Sequence, residues 1–221
     1  MFPLYDTARS HKFPIINILL IGINAYAFFR ELGMLPADLE TFIFANGLIP
    51  IELFADPNGE WRTILSSMFL HGGWFNILSN MWVLFIFGDN IEARMGAVPY
   101  LVFYLSSGVI AALLQASVLP SSQIPMIGAS GAVAGVLGAY LILFPRSRIA
   151  SLVPIFITFT LVELPAFIFL VFWFISQLYS GLFSLQGTAG GIAWWAHIGG
   201  FVFGILIAFL FYNRRTVYHY S

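Results

Sequence analysis

The sequence predicts an all-α integral membrane protein, one bundle of six transmembrane helices with both termini on the cytoplasmic side. Three observations carry this. Hydrophobic residues make up 60% of the 221 positions and charged residues 9%, against about 45–50% and about 25% in soluble domains. Nine basic and ten acidic side chains cannot cover a soluble surface of this size. The apolar residues fall in six long runs, with most basic residues on one side of them. A net charge of −1 offers no grip on phosphates, which excludes a nucleic-acid binder, and the apolar content excludes a disordered chain. The chain has no cysteine, so disulfides, thiol catalysis and thiolate metal sites are excluded.

A helix needs about 20 apolar residues to cross a ~30 Å hydrocarbon core. The first span is read at about 14–29 and ends at Arg30-Glu31. The second is 74–91, the third 98–119, closed by Pro120, and the fourth 130–144, closed by Pro145. The fifth is placed at 164–179 and the sixth at 191–212. These runs are continuous rather than alternating, which argues against membrane strands. Arg9 and Lys12 precede a first run without a small-residue cleavage motif, so a signal peptide is not expected.

With six spans, Arg9, Lys12, Arg94, Arg146, Arg148, Arg214 and Arg215 share one side, which the positive-inside rule makes cytoplasmic. Only Arg30 and Arg62 fall outside it, and loops 120–129 and 180–190 carry no charge. The long first loop, 32–73, mixes Asp38, Glu40, Glu52, Asp56 and Glu60 with Phe42, Ile43, Phe44, Leu48, Ile49 and Trp61. That mixture suits a functional segment lying in the membrane interface, or a decorated connector. Residues 149–161 carry Pro154 and β-branched side chains and are read as an interfacial segment before the fifth span.

Polar groups inside spans are costly and mark function by default. Asn76 and Asn80 are one turn apart on one face of the second span, where amides also serve as interhelical glue. Gly128-Ala129-Ser130-Gly131 opens the fourth span. Fifteen residues rise only about 22 Å, so its outer end lies below the surface. Ser130 there meets unpaired N–H groups and the positive helix dipole, a setting for a nucleophile beside an anion site, or simply for an N-cap. His197 is read about two turns inside the sixth span, either as a base or as a packed polar residue. Gly200 and Gly204 share its side and permit close approach of the glycine-lined fourth helix. Serine needs a base to become nucleophilic, and histidine is the usual one.

Taken together, these residues resemble the rhomboid family of intramembrane serine proteases. The matching motifs are His71 followed by Asn80, Glu92-Ala93-Arg94, Gly128-Ala129-Ser130-Gly131, and Ala196-His197-Ile198-Gly199-Gly200 with Gly204. The resemblance covers about residues 14–212, with the spans in the same order. It implies a Ser130–His197 dyad, with the oxyanion held by the Ser130 backbone N–H and the Asn80 side chain. It implies no cofactor, no metal and no nucleic acid, with lipid and transmembrane protein substrates as partners. Substrates would enter between the second and fifth spans, past Trp82, Phe169 and Trp173.

Two positions depart from the family pattern. Asn76 stands where many members carry a second histidine, and its amide can still support an oxyanion. Ala134 stands where some members stack an aromatic ring on the histidine, so positioning of His197 is expected from Trp194 or Trp195. Glu163 lies toward the cytoplasmic end, so a carboxylate triad is not expected. The alternatives are a catalytically silent rhomboid-like binder of client helices, which the intact Ser130, His197 and Asn80 disfavour, and a small channel. A channel calls for an ionisable path or an internal repeat, and the sequence has neither. The expected location is a prokaryotic inner membrane, since the chain reads as a minimal six-span core without a transit peptide.

Overall fold

The computed structural model describes residues 2–8, 10, 12–155, 158–185 and 191–212. Arg9, Arg214, Arg215 and positions 186–190 of the uncharged loop lie outside the described residues. The six expected helices are present in order: α1 (Ile15–Leu32), α5 (Trp74–Met95), α6 (Ala97–Val118), α7 (Ser130–Leu143), α8 (Ala166–Ser184) and α9 (Trp194–Ala208), the last extended by a 3-10 turn, Phe209–Phe211. Four are long and apolar enough to cross a membrane: Ile15–Leu32, Ala97–Val118, Ala166–Ser184 and Trp194–Phe211. Helix α7 has only 14 residues, and α5 carries Asp89, Glu92 and Arg94 in its last two turns.

The first loop is helical, as α2 (Pro36–Asn46), α3 (Pro50–Ala55) and α4 (Pro57–Ser66) followed by a 3-10 turn, Ser67–Phe69. Each of the three helices opens on a proline, which is pre-shaped for the first helical turn and has no N–H to leave unpaired. Leu48 and Leu53 anchor the loop in a small apolar cluster with Ala112 and Ala116 of α6.

The all-α expectation needs a correction. Of residues 149–161, read as an interfacial segment, 149–155 and 158–161 belong to two antiparallel strands, β2 (Arg148–Ile155) and β3 (Thr158–Pro165), and 156–157 lie outside the described residues. The N-terminal strand β1 (Phe2–Asp6) pairs with β2, giving the order β1-β2-β3. The β-branched residues that oppose a helix here favour strands, and the missing pairing partner lies more than 140 residues away in sequence. The fifth helix consequently starts at Ala166, directly after β3, rather than at 164.

Helix α7 is the centre of the bundle. Every residue from Gly131 to Tyr140 is buried, as expected of a helix that is apolar all round. It packs on α9 backbone to backbone. A Cβ placed on Gly200 would come within 2.0 Å of the Gly131 carbonyl oxygen, and one on Gly204 within 2.0 Å of the Gly135 carbonyl oxygen. Only glycine permits this separation, the membrane mode of close helix packing.

Buried polar residues set the register of the outer helices. Asn17 of α1 donates to the Leu84 carbonyl of α5 at 2.9 Å and accepts from the Tyr100 hydroxyl of α6 at 2.8 Å. Glu92 accepts the backbone N–H groups of Ile16 and Asn17 at 3.1 and 2.8 Å. A carboxylate there fills two orphan donors at the positive end of α1. Arg94 donates to the carbonyls of Phe211 and Tyr212 at 3.3 and 2.6 Å, beyond the C-terminal end of α9. Glu92 and Arg94 therefore bring the start of α1, the end of α5 and the end of α9 to one end of the bundle. The Gly128–Ser130 turn lies at the opposite end.

The sheet is tied to the bundle through β1. Asp6 accepts from the Asn90 side chain at 3.0 Å and from the Tyr140 hydroxyl. Trp82 of α5 donates its indole N–H to the Pro3 carbonyl at 2.6 Å and stacks on Phe2.

Candidate active site

Four helices, α5, α7, α8 and α9, converge on a cavity of about 650 Å³ lined by Asn76, Asn80, Ser130, Trp173, Gln177 and His197, among others. Ser130 is the first residue of α7. The chain reaches it through Gly128, whose φ of +128° favours glycine. The Gly128 N–H is held by the Ser67 carbonyl at 2.9 Å, fixing the turn against the first loop. The first N–H groups of a helix have no intrahelical acceptor, so the α7 terminus presents donors beside the Ser130 hydroxyl.

Asn76 and Asn80 lie on the cavity face of α5, and Asn80 donates to the Asn76 side-chain oxygen at 3.1 Å. That contact uses one of the two Asn80 amide hydrogens and leaves the second for another acceptor. Asn76 also faces the turn: a Cβ on Gly128 would lie 3.5 Å from its side-chain oxygen and 3.7 Å from the Ser130 hydroxyl oxygen.

His197 sits in the first turn of α9, because the helix begins at Trp194. The expectation of two turns counted 191–193 as helical, and they are not. The start of α9 is held by Gln115 of α6, whose side-chain oxygen accepts the N–H groups of Trp195 and Ala196 at 2.9 and 3.2 Å. The imidazole is flanked by Trp194, edge-on at 5.8 Å between centroids, and by Trp173 of α8, tilted at 6.2 Å. Its Nδ1 is 2.8 Å from the Gln177 side-chain oxygen. Gly131 and Gly200 hold α7 and α9 close one residue beyond Ser130 and one turn beyond His197.

The other motif residues stand apart from this cavity. His71 is buried with its ring edge-on to Phe28, and its backbone N–H donates to Glu31 at 3.2 Å. Burial pushes its imidazole down to about 4, so it is neutral near pH 7. Glu92 and Arg94 are helix-end caps at the far end of the bundle. Of the three residues expected along a gate, Trp173 lines the cavity. Phe169 is buried in the core, and Trp82 is engaged by β1.

Gln115 and Gln177 escaped the sequence reading. The signal was available, since each is an amide inside an otherwise apolar run. What the sequence lacked was the partner: Gln177 and His197 are 20 residues apart, across a loop.

A family model described as the Rhomboid domain matches residues 58–214. That interval contains the cavity, both helix caps and helices α5 to α9. The chain belongs to the rhomboid family. Rhomboid-like relatives span three settings. RHOMBOID-like protein 4 of Arabidopsis thaliana is 34% identical over 154 residues, 70% of this chain and 34% of that protein. The putative rhomboid protease YdcA of Bacillus subtilis is 33% identical over 84 residues, 38% of this chain and 42% of that protein. The mitochondrial presenilin-associated rhomboid-like protein of Homo sapiens is 31% identical over 150 residues, 64% of this chain and 36% of that protein. The chain thus spans 34–42% of the length of these three rhomboid relatives. Rhomboid membership and the four membrane-length helices make this a multi-pass integral membrane protein.

Proposed function

We propose that this chain is an intramembrane serine endopeptidase that cleaves transmembrane segments of membrane proteins with a Ser130–His197 dyad. The single observation supporting it most is the shared cavity: Ser130, His197, Asn76 and Asn80 come from three helices and line one space. Six helices cross the membrane, with both termini and the Glu92–Arg94 end cytoplasmic. The relatives' names include mitochondrial and bacterial proteins, so they do not favour the prokaryotic inner membrane expected from sequence.

In the reaction, the Ser130 hydroxyl oxygen attacks the scissile carbonyl carbon and His197 Nε2 takes its proton. The oxyanion accepts hydrogen bonds from the Ser130 N–H and the second Asn80 amide hydrogen, with Asn76 orienting Asn80 through their contact. His197 returns the proton to the leaving amide nitrogen as the C–N bond breaks. Water, deprotonated by His197, then hydrolyses the acyl-serine and restores the Ser130 hydroxyl. Preorganised donors in a site of low polarity are worth far more than the same donors in water.

The test is cleavage of a single-span substrate reconstituted with the protein in liposomes. Wild type cuts, while Ser130→Ala, His197→Ala and the double variant are equally inactive, because a dyad acts as a unit. Cleavage at the wild-type rate by Ser130→Ala contradicts the assignment and leaves a binder of client helices.

A further inference from the structure

A serine–histidine pair leaves one question of chemistry open: what holds the imidazole in the tautomer that makes it a base. For Nε2 to accept the serine proton, the ring hydrogen must sit on Nδ1. A carboxylate usually enforces this, and no charged side chain lines this cavity among the described residues. Glu163 pairs with Ala150 in the sheet and approaches Arg148 at 3.9 Å.

The geometry points to Gln177 as the positioning residue for His197, a neutral third member of the site. Its side-chain oxygen lies 2.8 Å from Nδ1, and Gln177 is buried. The orientation of the amide follows from its other end. The Gln177 NH₂ group donates to the Ser176 hydroxyl at 2.9 Å and to the Trp173 carbonyl at 3.3 Å. Ser176 in turn donates to the same carbonyl at 2.5 Å. With both amide hydrogens facing α8, only the oxygen faces His197. An amide oxygen only accepts, so Nδ1 carries the hydrogen and Nε2 presents its lone pair. Trp173 and Trp194 flank the ring and restrict rotation about the bond that would break this contact.

A neutral partner suits the location. A buried carboxylate left with one hydrogen-bond donor carries a heavy desolvation penalty, heavier still within a membrane. An amide avoids that penalty while still fixing the tautomer. It stabilises the imidazolium formed during attack only through its dipole, so less of the transition-state charge is offset than a carboxylate would offset. The role extends the Ser130–His197 reading and rests on it.

Two experiments separate failure of this role from failure of that reading. The first does not depend on activity. Nitrogen NMR of protein labelled at its four histidines, with His197 assigned through His197→Ala, reports the neutral tautomer. Wild type is expected in the Nδ1–H form alone, and Gln177→Leu in a mixture. The same tautomer in both proteins overturns the role of Gln177, whatever the enzyme does. The second is steady-state cleavage against pH. Gln177→Leu is expected to lower kcat by about 10²–10³ with KM little changed. Gln177→Glu restores the acceptor and adds a charge that favours imidazolium. It should therefore recover activity at high pH, with the acidic limb of kcat/KM moved up by on the order of one pH unit. An unmoved limb in Gln177→Glu, or a Gln177→Leu protein that only melts earlier at unchanged kcat, reduces Gln177 to a packing residue. A wild-type protein that shows the Nδ1–H tautomer yet never cleaves overturns the protease reading instead.

Discussion

Gly200 offers a sharp perturbation because it couples the packing of α7 and α9 to the site. A Cβ at this position would stand 2.0 Å from the Gly131 carbonyl oxygen, 3.0 Å from its carbonyl carbon and 3.3 Å from the Gly135 nitrogen. The first contact is roughly 1.4 Å short of ordinary van der Waals separation. All three atoms are backbone within α7, so no side-chain rotation relieves the clash. The helices must separate by about that distance, and overpacking of this kind costs about 1–3 kcal/mol. For a chain of this size that lowers Tm by roughly 2–12 °C. Activity should fall further than stability. Ser130 adjoins Gly131 and His197 lies one turn before Gly200, and a 1 Å misplacement of reacting groups costs about 10²-fold. The assay is thermal unfolding in detergent alongside the rate of Ser130 acylation, for Gly200→Ala and for Gly22→Ala as control. A Cβ on Gly22, in the interior of α1, meets nothing within 4 Å, so that variant should react like wild type and melt no earlier. Gly200→Ala that matched wild type in both measurements would refute the reasoning, because α7 and α9 would then not be in backbone contact.

Three further outcomes are expected. Asn80→Ala should lower turnover by about 10²–10³ with little change in KM, whereas Asn76→Ala should cost less. The reverse order, read from turnover of both variants, would make Asn76 the oxyanion donor. Glu92→Ala strands the N–H groups of Ile16 and Asn17, which should destabilise the fold by about 2–3 kcal/mol in thermal unfolding while the cavity residues stay in place. An unchanged Tm would mean that α1 starts elsewhere. Burial raises the Asp6 carboxyl from 3.8 to about 7, the Asp89 charge adding to this and the Tyr140 hydrogen bond opposing it. The folded state then keeps a proton that the unfolded chain has lost, so docking of β1 is strongest below about pH 4 and weakens as pH rises through about 7. Hydrogen exchange of residues 4–6, corrected for intrinsic rate, should show less protection at pH 8 than at 5.5. Asp6→Asn should remove the difference, and equal protection in wild type would contradict the shift.

How much of this was legible in the sequence depended on the range of each interaction. Helices such as 97–118 and 130–143 could be read to within a residue or two, because apolar runs and the prolines at 120 and 145 are local signals. The spacing of Asn76 and Asn80 placed both on one face for the same reason. The sheet was invisible: its β1 strand, five residues near the N-terminus, finds its partner only at 148–155. The roles of Glu92 and Arg94 could not be read either, since a cap is defined by the helix end it meets, Ile16 for one and Phe211 for the other. Gln177 illustrates the same limit within the site. Its cost in an apolar helix was evident, but its partner depended on how α8 lies against α9.

The central claim is that Ser130 is an activated nucleophile. The most direct measurement is reaction of the detergent-solubilised protein with a fluorophosphonate, followed by mass spectrometry of the adduct. The expected result is a single stoichiometric adduct on Ser130, absent in Ser130→Ala and strongly reduced in His197→Ala. A wild-type protein that stays unmodified under conditions where it is folded, or one modified equally well without His197, would contradict it.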